Sequence, residues 1–247
     1  MPSELVDEPD VIVDQLLKER KRLLSGFYGH PKNDKIKLDE SIYPQHYAIS
    51  LSGEPTMYPK LPQLIRYLRD LPATKSIFLV TNGQEPEMLQ RLADEDSLPT
   101  QIYLSTNASN KEMYHRVNRP RYRDAWERWL NSLNLLSTME TRIVLRMTII
   151  REYNDSSRFV NEFAKIIKEG APHFVELKSY MHVGMSTDRL EASNMLEMGE
   201  IKSIALQICL TLQNFKIMDE SEISRIVVLQ NKARYVNRWI EAYNLIS

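Results

Sequence analysis

Hydrophobic positions along the 247 residues follow two rhythms that take turns. Between Pro9 and Leu24 they recur at Ile12, Val13, Leu16, Leu17, Leu23 and Leu24, which is helical spacing, and Gly26 stands where a C-terminal cap belongs. The polar stretch from Gly29 to Gln45 reads as a loop or a short helix. Beyond it, short apolar runs predict strands at YAISLS, SIFLVTN, TQIYLSTNA, TRIVLRMTII, HFVELKSYM and SRIVVLQN, the first of them fully apolar and buried. Helical patterns predict YPKLPQLIRYLRDL, EPEMLQRLADE, DAWERWLNSLNLLSTM, SRFVNEFAKIIKEG and EMGEIKSIALQICLTLQ between them, and ARYVNRWIEAYNLI as a terminal helix. Repeated strand–helix units demand parallel strands joined by right-handed crossovers, which leaves a TIM-like barrel, complete or partial, or a doubly wound sheet. Without repeats or a linker, one α/β domain is expected over 1–247. It comprises an N-terminal helix and loop over 1–45, strand–helix units over 46–231 and a closing helix over 232–247.

Polar residues gather where either architecture binds ligands, at the C-terminal ends of the strands. Ser52, Gly53 and Glu54 follow the first strand, Thr81, Asn82 and Gly83 the second, and Ser105, Thr106 and Asn107 the third. Arg146 and Thr148 lie within the fourth, and Glu176, Lys178 and Ser179 at the fifth. Turns and helix caps account for Ser, Thr, Asn and Gly at such places. Glu54, between Gly53 and Pro55, is not needed for a turn. Arg146 and Lys178 interrupt apolar strands, where a charge is costly unless it is paired or faces a polar cavity. Lys178 is read two ways: as the ion-pair partner of Glu176 or another acid, or as a desolvated amine nucleophile of an aldolase-like barrel.

Charge narrows the choice of partner. With 32 basic and 33 acidic residues the net charge is −1, so no global field draws the chain to nucleic acid or membrane. A local patch exists in HRVNRPRYR, which carries Arg116, Arg119, Arg121 and Arg123 with Tyr122 and is preceded by Tyr114. It reads either as a grip for RNA phosphates and bases or as a solvated loop whose arginines pair with Asp124 and Glu127. The single cysteine, Cys209, falls in a helical apolar pattern as a core residue, and one cysteine builds no disulfide, zinc or iron–sulfur site. An acidic N-terminus and the absence of a bilayer-length apolar run lead to the expectation of a cytoplasmic chain without a membrane partner. Walker, dinucleotide-binding, nucleophile-elbow and HExxH motifs are missing. His30, His46 and His173 are expected in surface or capping roles, whereas His115 and His182 stay open.

Taken in order, AISLSGEPTMYPKLPQLI, FLVTNG, LPTQIYLSTNAS, RIVLRMTIIREYN, FVELKSYMHVGMS and DESEISRIVVLQN resemble the radical S-adenosylmethionine enzymes of tRNA wybutosine synthesis, the 4-demethylwyosine synthases. The similarity runs from about Leu23 to Asn231 and, lacking a flavodoxin-like domain, is to the single-domain archaeal type. The resemblance implies a partial TIM-like barrel, here without its first strand, and lyase chemistry started by cleaving S-adenosylmethionine at a [4Fe–4S] cluster. It implies as substrates pyruvate and N1-methylguanosine at position 37 of phenylalanine tRNA. For the cofactor it points to Ser52, Gly53 and Glu54 for the ammonium, to Ser105, Thr106 and Asn107 for the ribose, with Thr81 and Asn82 beside them, and to Arg146 for the carboxylate. Two departures stand out: Asn107 occupies a place where the family often has Asp, and the C-x-x-x-C-x-x-C loop is absent. The chain alone is therefore expected to be inactive. It would be either an N-terminally shortened fragment of the enzyme, such as one half of a split enzyme whose cysteines a separate polypeptide supplies, or a cluster-less tRNA-binding scaffold.

Overall fold

The computed structural model describes residues 6–50 and 53–240. Helix α1 spans Pro9–Ser25 and the short α2 Lys35–Ile42, capped by the Asp34 carboxylate. The strand–helix units then follow as β1 (His46–Ile49), α3 (Leu61–Asp70), β2 (Ser76–Thr81), α4 (Pro86–Asp94), β3 (Gln101–Ser105), α5 (Lys111–Asn118), α6 (Ala125–Thr138), β4 (Arg142–Ile149), α7 (Ser157–Gly170) and β5 (Phe174–Ser179). After α8 (Met198–Leu212) come β6 (Phe215–Ser221) and β7 (Ile226–Asn231). The sheet order is β1-β2-β3-β4-β5-β7-β6, with β1 to β5 parallel and the last two strands an antiparallel hairpin. It does not close on itself, so the α/β architecture is a partial barrel.

Alternation along β3, β4 and β5 gives the sheet two faces of opposite chemistry. Ile102, Leu104, Leu145, Met147, Val175 and Leu177 are buried, in one core with Trp129, Leu133, Phe163 and Ile167 from α6 and α7. Each such side chain contributes about 1.5–3 kcal/mol by leaving water. The intervening residues, Tyr103, Ser105, Arg146, Thr148, Glu176 and Lys178, are half-buried on the inner face. Register carries this alternation from strand to strand, with Ser105 opposite Arg146, Arg146 opposite Glu176 and Thr148 opposite Lys178.

Four expectations change. β1 is an edge strand with His46 and Ala48 exposed, not a buried one. The start of the stretch holding the four arginines is helical, Arg116 lying in α5, while Arg119 caps that helix and Arg121 and Arg123 follow it in irregular chain. β7 runs antiparallel because β6, whose mixed polar and apolar sequence hides it, returns the chain through a tight turn, with a register shift at Ile217/Asp219. Residues 232–240 form no helix, and 241–247 lie outside the described residues. Their backbone carbonyls serve other side chains instead: Arg142 donates to the carbonyls of Asn237 (2.6 Å) and Arg238 (3.1 Å), and Gln230 to that of Val236 (2.9 Å). Arg234 anchors the start of this segment on the carbonyls of Ala171 and Met139, both at 3.0 Å. Tertiary hydrogen bonds here outweigh helix propensity, which is a weak local bias.

His173 joins this lower end of the sheet. It is 7% exposed, and its Nδ1 accepts from the backbone N–H of Ile143 at 3.0 Å. Burial, with Arg234 and Arg142 nearby, lowers its pKa from the ordinary 6.5 to about 4. The unfolded chain therefore binds the extra proton first as pH falls. Stability from the neutral ring is present above pH 6.5 and is lost between 6.5 and about 4, by up to roughly 3 kcal/mol. Urea midpoints measured across that range are expected to fall steeply in the wild type and less in His173→Asn, whose side-chain carbonyl still accepts a hydrogen bond.

Candidate functional site

Glu54 is held by four donors. Its Oε1 accepts from the Thr56 N–H (3.1 Å), the Thr56 hydroxyl (2.6 Å) and the Thr81 hydroxyl (2.6 Å), and its Oε2 from the Asn82 N–H (2.8 Å). One carboxylate thus caps the short 3-10 turn Pro55–Met57 and ties it to the end of β2. A turn does need this acid after all, because Pro55 removes one donor and leaves the others to converge on a single acceptor. Gly53 precedes it at φ +82°, the left-handed conformation that favours glycine. Ser52 lies outside the described residues.

At the end of β2, Thr81 Oγ1 also accepts from Gly83 N–H (3.0 Å), and Asn82 Oδ1 accepts from Gln84 N–H (2.9 Å). Gly83 has φ +74°, and a Cβ there would stand 2.7 Å from Leu104 Cδ1 and 3.1 Å from Trp129 Cδ1, so only glycine fits. Gln84, 8% exposed, donates to Tyr114 OH (2.7 Å) and to the Ala125 carbonyl (3.0 Å). Since a carbonyl can only accept, the amide orientation is fixed, and Gln84 Oε1 has no partner among the described residues. Burial pushes the Tyr114 phenol up to about 12, so it remains a neutral donor.

Beyond β3, buried Asn154 donates to the carbonyls of Asn107 (3.0 Å) and Thr148 (2.9 Å). Asn107 accepts from the Thr148 N–H and donates to Asn118 Oδ1, both at 3.3 Å. An amide can make both bonds, while a carboxylate here would face the Asn118 oxygen unless that side chain turned over. The departure from Asp at Asn107 therefore has a local partner.

These strand ends open into one cavity of about 810 Å3, in the range of small-molecule sites. Glu54, Asn82, Ser105 and Asn107 line it, and so do Arg116, Arg119 and Arg121. The two groups of residues predicted for different ligands thus share one cavity. Thr81 is buried behind Glu54, and Arg123 lies outside the lining. Arg146 is also outside it, with Nε 2.8 Å from Glu176 and the guanidinium 4.3 Å from the centre of the Tyr103 ring, so it is already engaged by an acid. Lys178, next to Thr148 on the inner face, has no ion pair among the described residues, because Glu176 is taken by Arg146.

Arg116 donates to the Glu152 carbonyl (3.2 Å) and lies 4.7 Å from the centre of the Tyr153 ring. Arg119 closes α5 in the left-handed conformation at φ +47°. The side chains of Arg119, Arg121 and Arg123 have no hydrogen bond or ion pair among the described residues. Neither Asp124 nor Glu127 pairs with any of the four arginines, and Glu127 pairs with Lys111 at 2.6 Å. Both cavity carboxylates are committed, Glu54 to its four donors and Glu85 to Tyr122 and Arg128, which leaves the cavity with surplus positive charge. Gln84, Tyr153, Tyr180 and Arg189 line the cavity without having been singled out as ligand residues, and Tyr122 lines it as the aromatic member of the basic patch. His182 Nδ1 lies 3.2 Å from Tyr180 OH, at the cavity edge.

A chain with these strand ends has known relatives. Residues 33–170 match the radical SAM superfamily and residues 169–231 wyosine base formation. The S-adenosyl-L-methionine-dependent tRNA 4-demethylwyosine synthase of Methanocaldococcus jannaschii is 36% identical over 232 residues, covering 94% of this chain and 70% of that protein. The chain belongs to the 4-demethylwyosine synthase family. The synthase of Pyrococcus abyssi is 41% identical over 223 residues, and this chain spans 64% of that relative's length. A solved structure of TYW1 with a lysine–pyruvate adduct bound is 35% identical, with a TM-score of 0.82 over 94% of this chain and 72% of that one.

The family implies S-adenosylmethionine and an iron–sulfur cluster. For the first, the donor set fits: amides, hydroxyls and a carboxylate around one cavity suit an amino-acid nucleoside. For the second, it does not. Cys209, the chain's single cysteine, is on α8 with its thiol pKa raised by burial, and no group of three or more His, Cys, Asp or Glu among the described residues is placed to hold a metal. Among the described residues, no helix is long and apolar enough to cross a membrane.

Proposed function

We propose that this chain is the S-adenosylmethionine- and tRNA-binding barrel of a 4-demethylwyosine synthase, with N1-methylguanosine-37 of phenylalanine tRNA and pyruvate as substrates. The thiolates of the cluster would come from outside residues 1–247, on a separate polypeptide or on further chain. The carrying observation is the shared cavity, which Glu54, Asn82, Ser105 and Asn107 line together with Arg116, Arg119 and Arg121. In this reading Gly53 lets the backbone approach the cofactor, Asn107 and Ser105 orient the ribose, and Thr81 holds Glu54 in place behind Asn82. The arginines, with Arg123 beside them, bind RNA phosphates, and cytoplasmic tRNA is the natural source of these. The cofactor, when cleaved at its cluster, supplies a 5′-deoxyadenosyl radical, and no part of that cleavage is assigned to the residues of this chain. Arg146, held by Glu176, would meet the cofactor carboxylate only by exchanging partners.

A second reading rests on Lys178, a half-buried amine on the inner face without an ion pair. It would condense with the keto carbon of pyruvate, releasing water, as in a Schiff-base aldolase. One preparation tests both readings. Equilibrium dialysis with labelled S-adenosylmethionine is expected to show saturable binding, and a native gel with phenylalanine tRNA a discrete complex. Failure of the first removes the cofactor site, and failure of the second the RNA surface. Borohydride added with labelled pyruvate traps a covalent adduct only if the lysine reading holds, and that adduct must vanish in Lys178→Ala.

A further inference from the structure

Tyr122 sits at the rim of the cavity, 37% exposed, in a position held at two points. Its hydroxyl donates to Glu85 Oε1 at 2.7 Å, and the guanidinium of Arg128 lies 4.8 Å from its ring centre. Arg128 is itself fixed by Glu85 (3.3 Å) and Glu87 (2.9 Å) and by the Gln84 carbonyl. Upstream, Arg119 in the left-handed conformation and then Pro120 restrict the path of the chain into this position. Pinning a large ring costs rotamer freedom, and leaving it exposed forgoes the burial that normally offsets that cost. An aromatic ring fixed in advance and left open is the arrangement in which a flat partner stacks with little further ordering. Charge selects the partner: Arg119 and Arg121, before Tyr122 in the chain, and Arg123, after it, are unpaired among the described residues, and both carboxylates lining the cavity are engaged.

We infer that Tyr122 is a stacking platform for an unpaired nucleobase of bound RNA, whose flanking phosphates lie on Arg119, Arg121 and Arg123. This rests on the RNA-binding reading above and deepens it, because phosphate contacts position a strand whereas a base stacked on a ring requires it to be single-stranded there. Glu85 and Arg128 act as positioning residues for the ring.

The test uses the whole chain and a hairpin RNA carrying a fluorescent adenine analogue at one loop position at a time. Wild type is expected to quench the analogue at a particular loop position and to bind the hairpin more tightly than a fully paired duplex of equal length. Tyr122→Ala is expected to lose that quenching and about tenfold in affinity, with the salt dependence of binding unchanged because the phosphate contacts remain. Tyr122→Trp keeps a stacking face, and retention of quenching there shows that the loss in the alanine variant is not a folding defect. Salt-dependent binding with no quenching at any position, and with Tyr122→Ala as tight as wild type, overturns the platform while leaving the arginine surface intact. No binding of either RNA by wild type overturns both.

Discussion

Replacing Arg119, Arg121 and Arg123 together by alanine is expected to weaken tRNA binding on the order of a hundredfold at physiological salt, and to flatten the plot of log affinity against log salt concentration by up to about 0.9 per lost phosphate contact. The three guanidinium groups have no partner among the described residues, so folding stability should hardly move. Arg116 is expected to matter less to the slope, since its guanidinium is already tied to the Glu152 carbonyl and stacked on Tyr153. Filter binding at a series of salt concentrations reads both quantities. A triple variant with wild-type affinity and slope would mean that RNA, if it binds, lies elsewhere.

Glu54 offers the second large effect, this time on folding and site geometry together. Glu54→Ala removes the acceptor for two backbone N–H groups and two hydroxyls, and a loss of roughly 2–4 kcal/mol in urea unfolding is expected. Glu54→Gln, nearly isosteric, should recover only part of it. With the amide nitrogen at the Oε2 position it would oppose the Asn82 N–H, and with the nitrogen at Oε1 it would oppose that of Thr56. Every orientation leaves one donor facing another, so a cost of about 1–3 kcal/mol remains. Glu54→Gln as stable as wild type would show that water substitutes freely at these donors.

Much of this was legible beforehand, and the reasons differ by element. β2 to β5 and their helices announce themselves because parallel strands are buried and their connections are helical, giving two well-separated periods. β6 escaped because Lys216, Asp219 and Glu220 break its apolar run, and an edge strand tolerates that. The helix expected over ARYVNRWIEAYNLI has the right spacing, yet over residues 232–240 Arg142, Arg234 and Gln230 impose an irregular path, a long-range effect that no window of sequence contains. At the site, the clustering of Glu54, Asn82, Ser105 and Asn107 follows from topology alone, since parallel strands end on one side. The engagement of Arg146 by Glu176 and the isolation of Lys178 do not, because the choice between two cations for one acid depends on strand register. Gln84 carried no signal at all: its role comes from a buried amide reaching Tyr114 and Ala125 from another element.

The alternation seen on β3, β4 and β5 has a wider meaning. Two messages are interleaved there, alternate letters for packing and those between them for chemistry, and neither needs the other to be spelled in a given way. Ser105, Arg146, Thr148, Glu176 and Lys178 could be rewritten to host another reaction while Leu104, Leu145, Met147 and Leu177 went on folding the same scaffold. In such a sheet, new catalysts arise by editing every second word.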